Sequence, residues 1–308
     1  MFEITFLGTS ASAPSIHRGL SAQVVKHNEY RFLIDCGEGT QRQILQSGLG
    51  FKHLDKILIT HSHLDHILGL AGLVSTYMRW EAIPQLDIYA GKASLERIQD
   101  LLYSVVLRNA QPPITINMHQ VTNGTIFEGD DFSINAFPVS HRGPDCYGFK
   151  FTEKGHAPFL ADRADELGVP AGPLRRDLVN GKSIQLGDGR IIQPEQVLGE
   201  YHPGVTLVHI GDVGSPEELI DVCSGADTLV IEATYLDEET KMAKQYAHLT
   251  ARQAATLALK ANVKQLLLTH ISRRYREKDV LVEAQSVFQN TVVVRDFDNF
   301  TIKRADQS

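Results

Sequence analysis

The stretch THSHLDH, Thr60 to His66, gathers three imidazoles and a carboxylate directly behind the apolar run LDKILI. Imidazole nitrogen and carboxylate oxygen are the ligands that zinc, manganese and iron accept. Alternation along an extended segment would aim these side chains to two sides, and four ligands so close suit two adjacent metals better than one. A two-metal site needs further ligands from other strand ends, and the sequence supplies candidates. FSINAFPVSH ends in His141, VTLVHIGD in Asp212 and QLLLTH in His270. Each stands at the carboxyl end of an apolar run, the edge at which α/β sheets carry their sites. A lone histidine is more often an ordinary surface or core residue, and His17, His27, His53, His119, His156, His202 and His209 are read that way. Independent strand-end placements pointing to one chemistry overturn that reading for the others. Glu232 in LVIEAT and His248 in YAHLT add a carboxylate at a strand end and an imidazole just before a helix. Such a pair is suited to protonating a leaving oxygen.

The elements that must position these residues are short. Runs rich in Ile, Val, Leu and Phe (EITFLG, RFLIDCG, KILITH, LDIYAG, YGFKFT, TLVIEAT, TVVVRDFD) read as strands. Between them GTQRQILQSG, ASLERIQDLLYSVV, SPEELIDVCSG, TARQAATLALKA and REKDVLVEAQSVF read as helices. Ser215-Pro216-Glu217-Glu218 and Thr250 with Gln253 are expected to form capping boxes. The alternation predicts an α/β protein with helices on sheet faces. From about residue 153 to 200 a Gly-, Pro- and charge-rich stretch breaks the rhythm. It reads as an inserted arm with a small helix and a hairpin at Gly187-Asp188-Gly189. No linker splits the rest, so residues 1–308 are read as one domain carrying that arm.

Bulk properties narrow the class. The chain has 308 residues, 43% hydrophobic, with a net charge of −7 and a pI near 6.0. That is enough for a sizeable core and gives no overall nucleic-acid or membrane footprint. No apolar run approaches the roughly 20 residues of a membrane-spanning helix. The three cysteines, Cys36, Cys146 and Cys223, form neither a disulfide framework nor a CxxC pair, which fits a reducing cytoplasmic compartment.

THSHLDH, SH at 140–141, IGD at 210–212 and LTH at 268–270 resemble the metallo-β-lactamase superfamily over most of the chain. The resemblance implies an αββα sandwich that binds two metals. His61, His63 and His141 would hold one, Asp65, His66 and His270 the other, with Asp212 bridging. It also implies attack of a metal-activated water on an ester, amide or phosphodiester. Within that superfamily the opening MFEITFLGTSASAP, the PSIHRG loop with Arg18, the Glu232-Ala233-Thr234 motif, His248 and the arm with GVPAGPL and LGDGRII resemble the ribonuclease Z family. Three positions depart from that family's pattern: Gly19, Val213 and Leu249.

The family resemblance implies a zinc-dependent endoribonuclease, with manganese as an alternative metal, that removes the 3′ trailer of precursor tRNA. It would be a cytoplasmic homodimer with the arm as RNA-gripping exosite. Asp65, Glu232 and His248 would be the catalytic residues. The arm holds six basic residues against eight acidic ones. The best local phosphate contacts are therefore Arg175-Arg176 and Arg273-Arg274, beside Arg18. The competing readings are a superfamily hydrolase of small esters, thioesters or phosphodiesters, and a metal-bearing scaffold without turnover. The first would have no use for the arm or the Glu232–His248 pair. Against the second, a structural site would close with four ligands.

Overall fold

A computed structural model describes residues 1–108 and 110–303. The apolar runs become two seven-stranded sheets. In the first, β1 (Phe2–Gly8), β2 (Ala22–His27), β3 (Tyr30–Ile34), β4 (Lys56–Leu58), β5 (Gln85–Ala90) and β6 (Thr115–Gln120) follow one another in order. In the second, β7 (Gly124–Glu128), β8 (Phe132–Pro138), β9 (Tyr147–Glu153), β12 (Thr206–His209), β13 (Thr228–Glu232), β14 (Gln265–Thr269) and β15 (Thr291–Val293) do the same. The small hairpin β10 (Ile184–Gln185) and β11 (Ile191–Ile192) comes between β9 and β12 in the chain, and β16 (Asn299–Ile302) returns to pair with β1. Strands β3 to β6 run parallel, as do β12 to β15.

The layers follow from where the apolar side chains point. Phe2, Phe6, Phe32 and Ile34 of the first sheet meet Phe132, Phe149, Phe151, Leu207, Val230 and Leu267 of the second, so the sheets pack face to face. The outer face of the first sheet is covered by α1 (Thr40–Gln46), by α3 (Gly69–Trp80), which follows the single turn α2 (Leu64–Ile67), and by α4 (Lys92–Gln99). The outer face of the second is covered by α7 (Ile220–Cys223), α9 (Ala251–Lys260) and α10 (Glu277–Gln285). The result is the αββα sandwich.

Residues 153–204 form a separate compact unit. It has its own small core of Ala164, Val169, Leu178, Ile184, Leu186, Ile192 and Val197. Two short helices, α5 (Ala161–Glu166) and α6 (Pro173–Val179), accompany the β10–β11 hairpin, where one helix was expected. The hairpin turn includes Gly189 at φ 86°, a left-handed conformation that glycine adopts at little cost.

Local signals were right in some places and overridden in others. At α9 both halves of the Thr250–Gln253 box are made, Gln253 N–H to Thr250 Oγ1 at 3.2 Å and Thr250 N–H to Gln253 Oε1 at 2.9 Å. The Ser215 box does not form. Pro216 itself starts a tight 3₁₀ turn, closed by Leu219 N–H to Pro216 O at 3.1 Å, before α7 begins. Helix α3 was not expected, because two glycines and β-branched residues give it poor propensity. One of those glycines is there for packing. A Cβ on Gly69 would lie 2.0 Å from Gly37 O, and Gly69 N–H donates to Cys36 O at 2.8 Å.

His209, at the end of β12, is buried and donates from Nε2 to Gln23 Oε1 at 3.1 Å. Burial, with Asp35 opposing, depresses its pKa to about 4. The unfolded chain protonates this imidazole near pH 6.5, whereas the folded chain does so only near 4. Stability is therefore lost as pH falls through that window, by about 3 kcal/mol in total. His209→Gln should show a shallower fall between pH 7 and 5 in urea denaturation than the parent. Equal slopes would contradict the assignment.

Candidate metal centre

The candidate ligands converge at the carboxyl ends of the parallel strands. His61 and His63 follow β4, His63 in extended backbone. Asp65 and His66 do not continue that alternation, as the sequence suggested, but ride on α2, for which His63 is the N-cap. His141 follows β8, Asp212 follows β12 and His270 follows β14. Ligand atoms of His61, His63, His141 and Asp212 lie within 4.8 Å of one another, as do those of Asp65, His66 and His270. Asp212 faces both groups. Its Oδ2 stands 3.6 Å from His61 Nε2 and 3.7 Å from His141 Nε2, and its Oδ1 stands 3.5 Å from His66 Nε2 and 3.3 Å from His270 Nε2.

The far nitrogen of each imidazole decides what the near one can do. His66 Nδ1 donates to Asp35 Oδ2 at 2.7 Å, a carboxylate that also accepts from Thr60, and His141 Nδ1 donates to Ala247 O at 2.8 Å. Thr60 Oγ1 donates to Asp35 and so accepts from His61 Nδ1 at 3.0 Å. Thr234 Oγ1 donates to Glu232 and so accepts from His270 Nδ1 at 2.9 Å. Four Nε2 lone pairs are thereby turned inward, the tautomer a metal requires. His63 presents Nδ1 instead, 2.9 Å from His61 Nε2 and 3.3 Å from His141 Nε2.

So many Lewis-basic atoms facing one another call for cations. His66 Nε2 and Asp212 Oδ1 are buried without a hydrogen-bond partner. Electrostatics agree. Burial and the neighbouring His66 hold the His61 pKa well below the imidazole norm, and burial with His141 brings His63 to about 4. These rings are neutral at pH 7. Burial also opposes charge on His66, yet Asp212 and Asp35 raise its pKa well above the norm, so a proton competes with a metal for its Nε2 lone pair. Burial would raise Asp212, but His270 and His66 pull it far down. The pocket holds ionised carboxylate and attracts positive charge, so the residues fit a metal centre. Asp35, Ala247 and His270 all adopt positive φ, between 53° and 56°, the kind of backbone strain that collects at functional sites.

Glu232 and His248 stand beside the cluster. His248 Nδ1 donates to Glu232 Oε1 at 2.9 Å, and Val213 N–H donates to the same oxygen at 2.8 Å. Burial disfavours charge on His248, but Glu232 outweighs it and the pKa rises to about 9. At positions 213 and 249, where the family pattern has polar residues, Val213 and Leu249 are buried in the core under α9. Gly19 donates its N–H to Asp296 Oδ2 at 2.6 Å.

The arginines divide into two kinds. Arg18 is tied to Thr9, to Val294 O and to Glu277, Arg175 to Asp165 and Val169 O, and Arg274 to Glu239. Arg176 and Arg273 are exposed. Arg273 lines a cavity of about 260 Å³ with Ser10, Ser15, His17, Arg18 and Tyr275.

The facing sheets, their helical coats and the His/Asp cluster at one edge define a hydrolase of the metallo-β-lactamase superfamily. A family model described as Beta-lactamase superfamily domain matches residues 187–271, and one described as Anti-Pycsar protein Apyc1 matches residues 2–165. The chain is 44% identical to Ribonuclease Z of Bradyrhizobium diazoefficiens, covering 98% of this chain and 100% of that one. It is 42% identical to Ribonuclease Z of Bradyrhizobium sp. strain ORS 278 over the same shares. The crystal structure of the short form of human tRNase Z matches with a TM-score of 0.70 at 26% identity, over 98% of this chain and 100% of that one. The chain belongs to the ribonuclease Z family.

Sequence reasoning missed Asp35, Thr60 and Thr234, which orient the imidazoles. Asp35 carried the same signal as the ligands, a carboxylate at the end of the apolar run RFLI. Asp35→Ala should lower metal affinity or diester hydrolysis about 10- to 100-fold, read by metal content after dialysis and by turnover. Full metal retention with parental turnover would rule out the orienting role.

Proposed function

We propose that the chain removes the 3′ trailer of precursor tRNA by cutting after the discriminator nucleotide, leaving a 3′ hydroxyl on the tRNA and a 5′ phosphate on the trailer. The observation that carries this is the buried Glu232–His248 pair beside the metal centre, in a chain whose full length aligns with proteins named Ribonuclease Z. A hydrolase of small esters needs no such dedicated proton donor.

Two zinc ions, with manganese as the alternative, suit the donor set. His61, His63 and His141 would hold one, Asp65, His66 and His270 the other, and Asp212 both. Bound there, they would supply positive charge at the scissile phosphate and lower the pKa of water to near neutrality. The chain's own groups do the rest. His248, held by Glu232 and charged at neutral pH, gives its proton to the departing 3′ oxygen. Asp65 takes up the proton of the attacking water. Its Oδ2 is anchored by Ser12 N–H at 3.1 Å and stands 3.5 Å from His270 Nε2. Arg176 and Arg273 offer exposed charge to phosphates, while Arg18, Arg175 and Arg274 are held by carboxylates and shape the loops around them. The unit at 153–204 serves as the RNA-gripping exosite of a single catalytic domain. A homodimer in the cytoplasm completes the reading.

The test uses purified protein with zinc or manganese, a 3′-extended precursor tRNA and bis(p-nitrophenyl) phosphate. Cleavage directly after the discriminator nucleotide is expected, lost on deleting residues 155–198 while the small diester is still hydrolysed. His248→Ala should lower precursor turnover about 10²- to 10⁴-fold with metal content unchanged. A small diester hydrolysed while the tRNA stays intact would sink the proposal, and a His248→Ala protein at full speed would sink the dyad.

A further inference from the structure

Most cations around the centre are already engaged. Arg18 pairs with Glu277 at 2.9 Å, Arg274 with Glu239 at 3.1 Å, and Arg97 donates to Ser62 O at 2.8 Å. Arg142 is different. It directly follows the candidate ligand His141, is exposed, and has neither an ion pair nor a hydrogen bond among the described residues. Its guanidinium lies over the ring of Tyr246, 5.7 Å from the centroid. Tyr246 is 39% exposed, so a large aromatic surface faces solvent at this rim.

This pair is sewn to the proposed proton donor. Tyr246 ends α8 (Thr240–Tyr246), and only Ala247, in left-handed backbone, separates it from His248. Ala247 O accepts from His141 Nδ1 at 2.8 Å, and Gly214 N–H donates to Ser140 O at 2.7 Å. The His141 and His248 ring centroids are 5.2 Å apart. The segments bearing Arg142 and Tyr246 are therefore fixed to each other and to His248. Whatever nucleotide sets its 3′ oxygen against His248 carries its base and its other phosphate into this neighbourhood.

We propose that Arg142 and Tyr246 form a nucleotide subsite on the leaving-oxygen side of the centre. Tyr246 stacks the base whose 3′ oxygen departs, and Arg142 pairs with the phosphate 5′ of it. Stacking on an aromatic ring tolerates any base, and a planar guanidinium suits phosphate bidentately. Together they recognise the chain end of an RNA without reading its sequence. The inference rests on the nuclease reading above and adds the residues that seat the nucleotide.

The experiment compares kcat/KM for a precursor tRNA and for bis(p-nitrophenyl) phosphate in the metal-loaded parent, Arg142→Ala, Arg142→Lys, Tyr246→Ala and Tyr246→Phe. A second precursor lacks only the base at the discriminator nucleotide. Each alanine variant should lose about tenfold or more on the precursor, a loss at least tenfold larger than its loss on the diester. Tyr246→Phe should recover most of the rate and Arg142→Lys part of it. Removing the base should slow the parent but slow Tyr246→Ala no further. Alanine variants at the parental precursor rate, equal losses on both substrates, or the same base penalty in parent and Tyr246→Ala would overturn the subsite while the nuclease reading stands. A parent that leaves the precursor uncut removes both.

Discussion

The carboxylate of Asp212 is the constraint on which the rest depends. It is buried, ionised and faced on both oxygens by imidazoles, Oδ2 toward His61 and His141, Oδ1 toward His66 and His270. A buried charge is tolerated only where opposite charge and hydrogen bonds meet it. Everything around it serves that condition. Asp35, Thr60, Thr234 and Ala247 O hold the outer nitrogens so that the inner ones are free, and each of those groups is itself held. The site is thus a set of nested orientations. Losing an outer member should act through the imidazole it orients, which is why Asp35 matters although it touches no candidate ligand atom on the inner side.

The sandwich explains how residues so far apart in sequence meet. The first sheet supplies His61, His63, Asp65 and His66 from the end of β4, and Asp35 from the end of β3. The second supplies His141, Asp212, Glu232 and His270. Each proposed ion would be clamped by residues from both sheets: His61 and His63 with His141, Asp65 and His66 with His270. Metal binding and the packing of the sheets at this edge are then one equilibrium, and occupancy stabilises the fold by mass action. The aromatic core between the sheets, Phe2, Phe32, Phe132 and Phe151 in mutual edge contacts, fixes the spacing that this clamp needs.

Much of this was legible because strand ends announce themselves. Apolar runs ending in His or Asp pointed to His141, Asp212 and His270, and the structure brings these side chains close to His61, His63, Asp65 and His66. Where packing decides, the sequence misled. Helix α3 has glycines that propensity penalises, but Gly69 lies where a backbone carbonyl leaves no room for a side chain. The Ser215 box failed because Pro216 closes a tighter turn of its own. Thr234 stood in the Glu232-Ala233-Thr234 motif, but its orienting role escaped notice because nothing in residue type distinguishes a hydroxyl that relays a hydrogen bond from one that does not. Only the distances to Glu232 and His270 do that. The arginines show the same limit: residue type does not tell Arg18, largely buried and tied to Glu277, from Arg142, which is exposed and makes no ion pair among the described residues.

Asp212 is proposed to unite two metal sites through one carboxylate. Native mass spectrometry of the protein titrated with zinc, for the parent and for Asp212→Ala, tests it directly. Two ions per chain are expected in the parent, with loss of at least one of them at the same zinc concentration in the variant and diester hydrolysis lost alongside. An Asp212→Ala chain that still takes up two ions at the parental concentrations would contradict it.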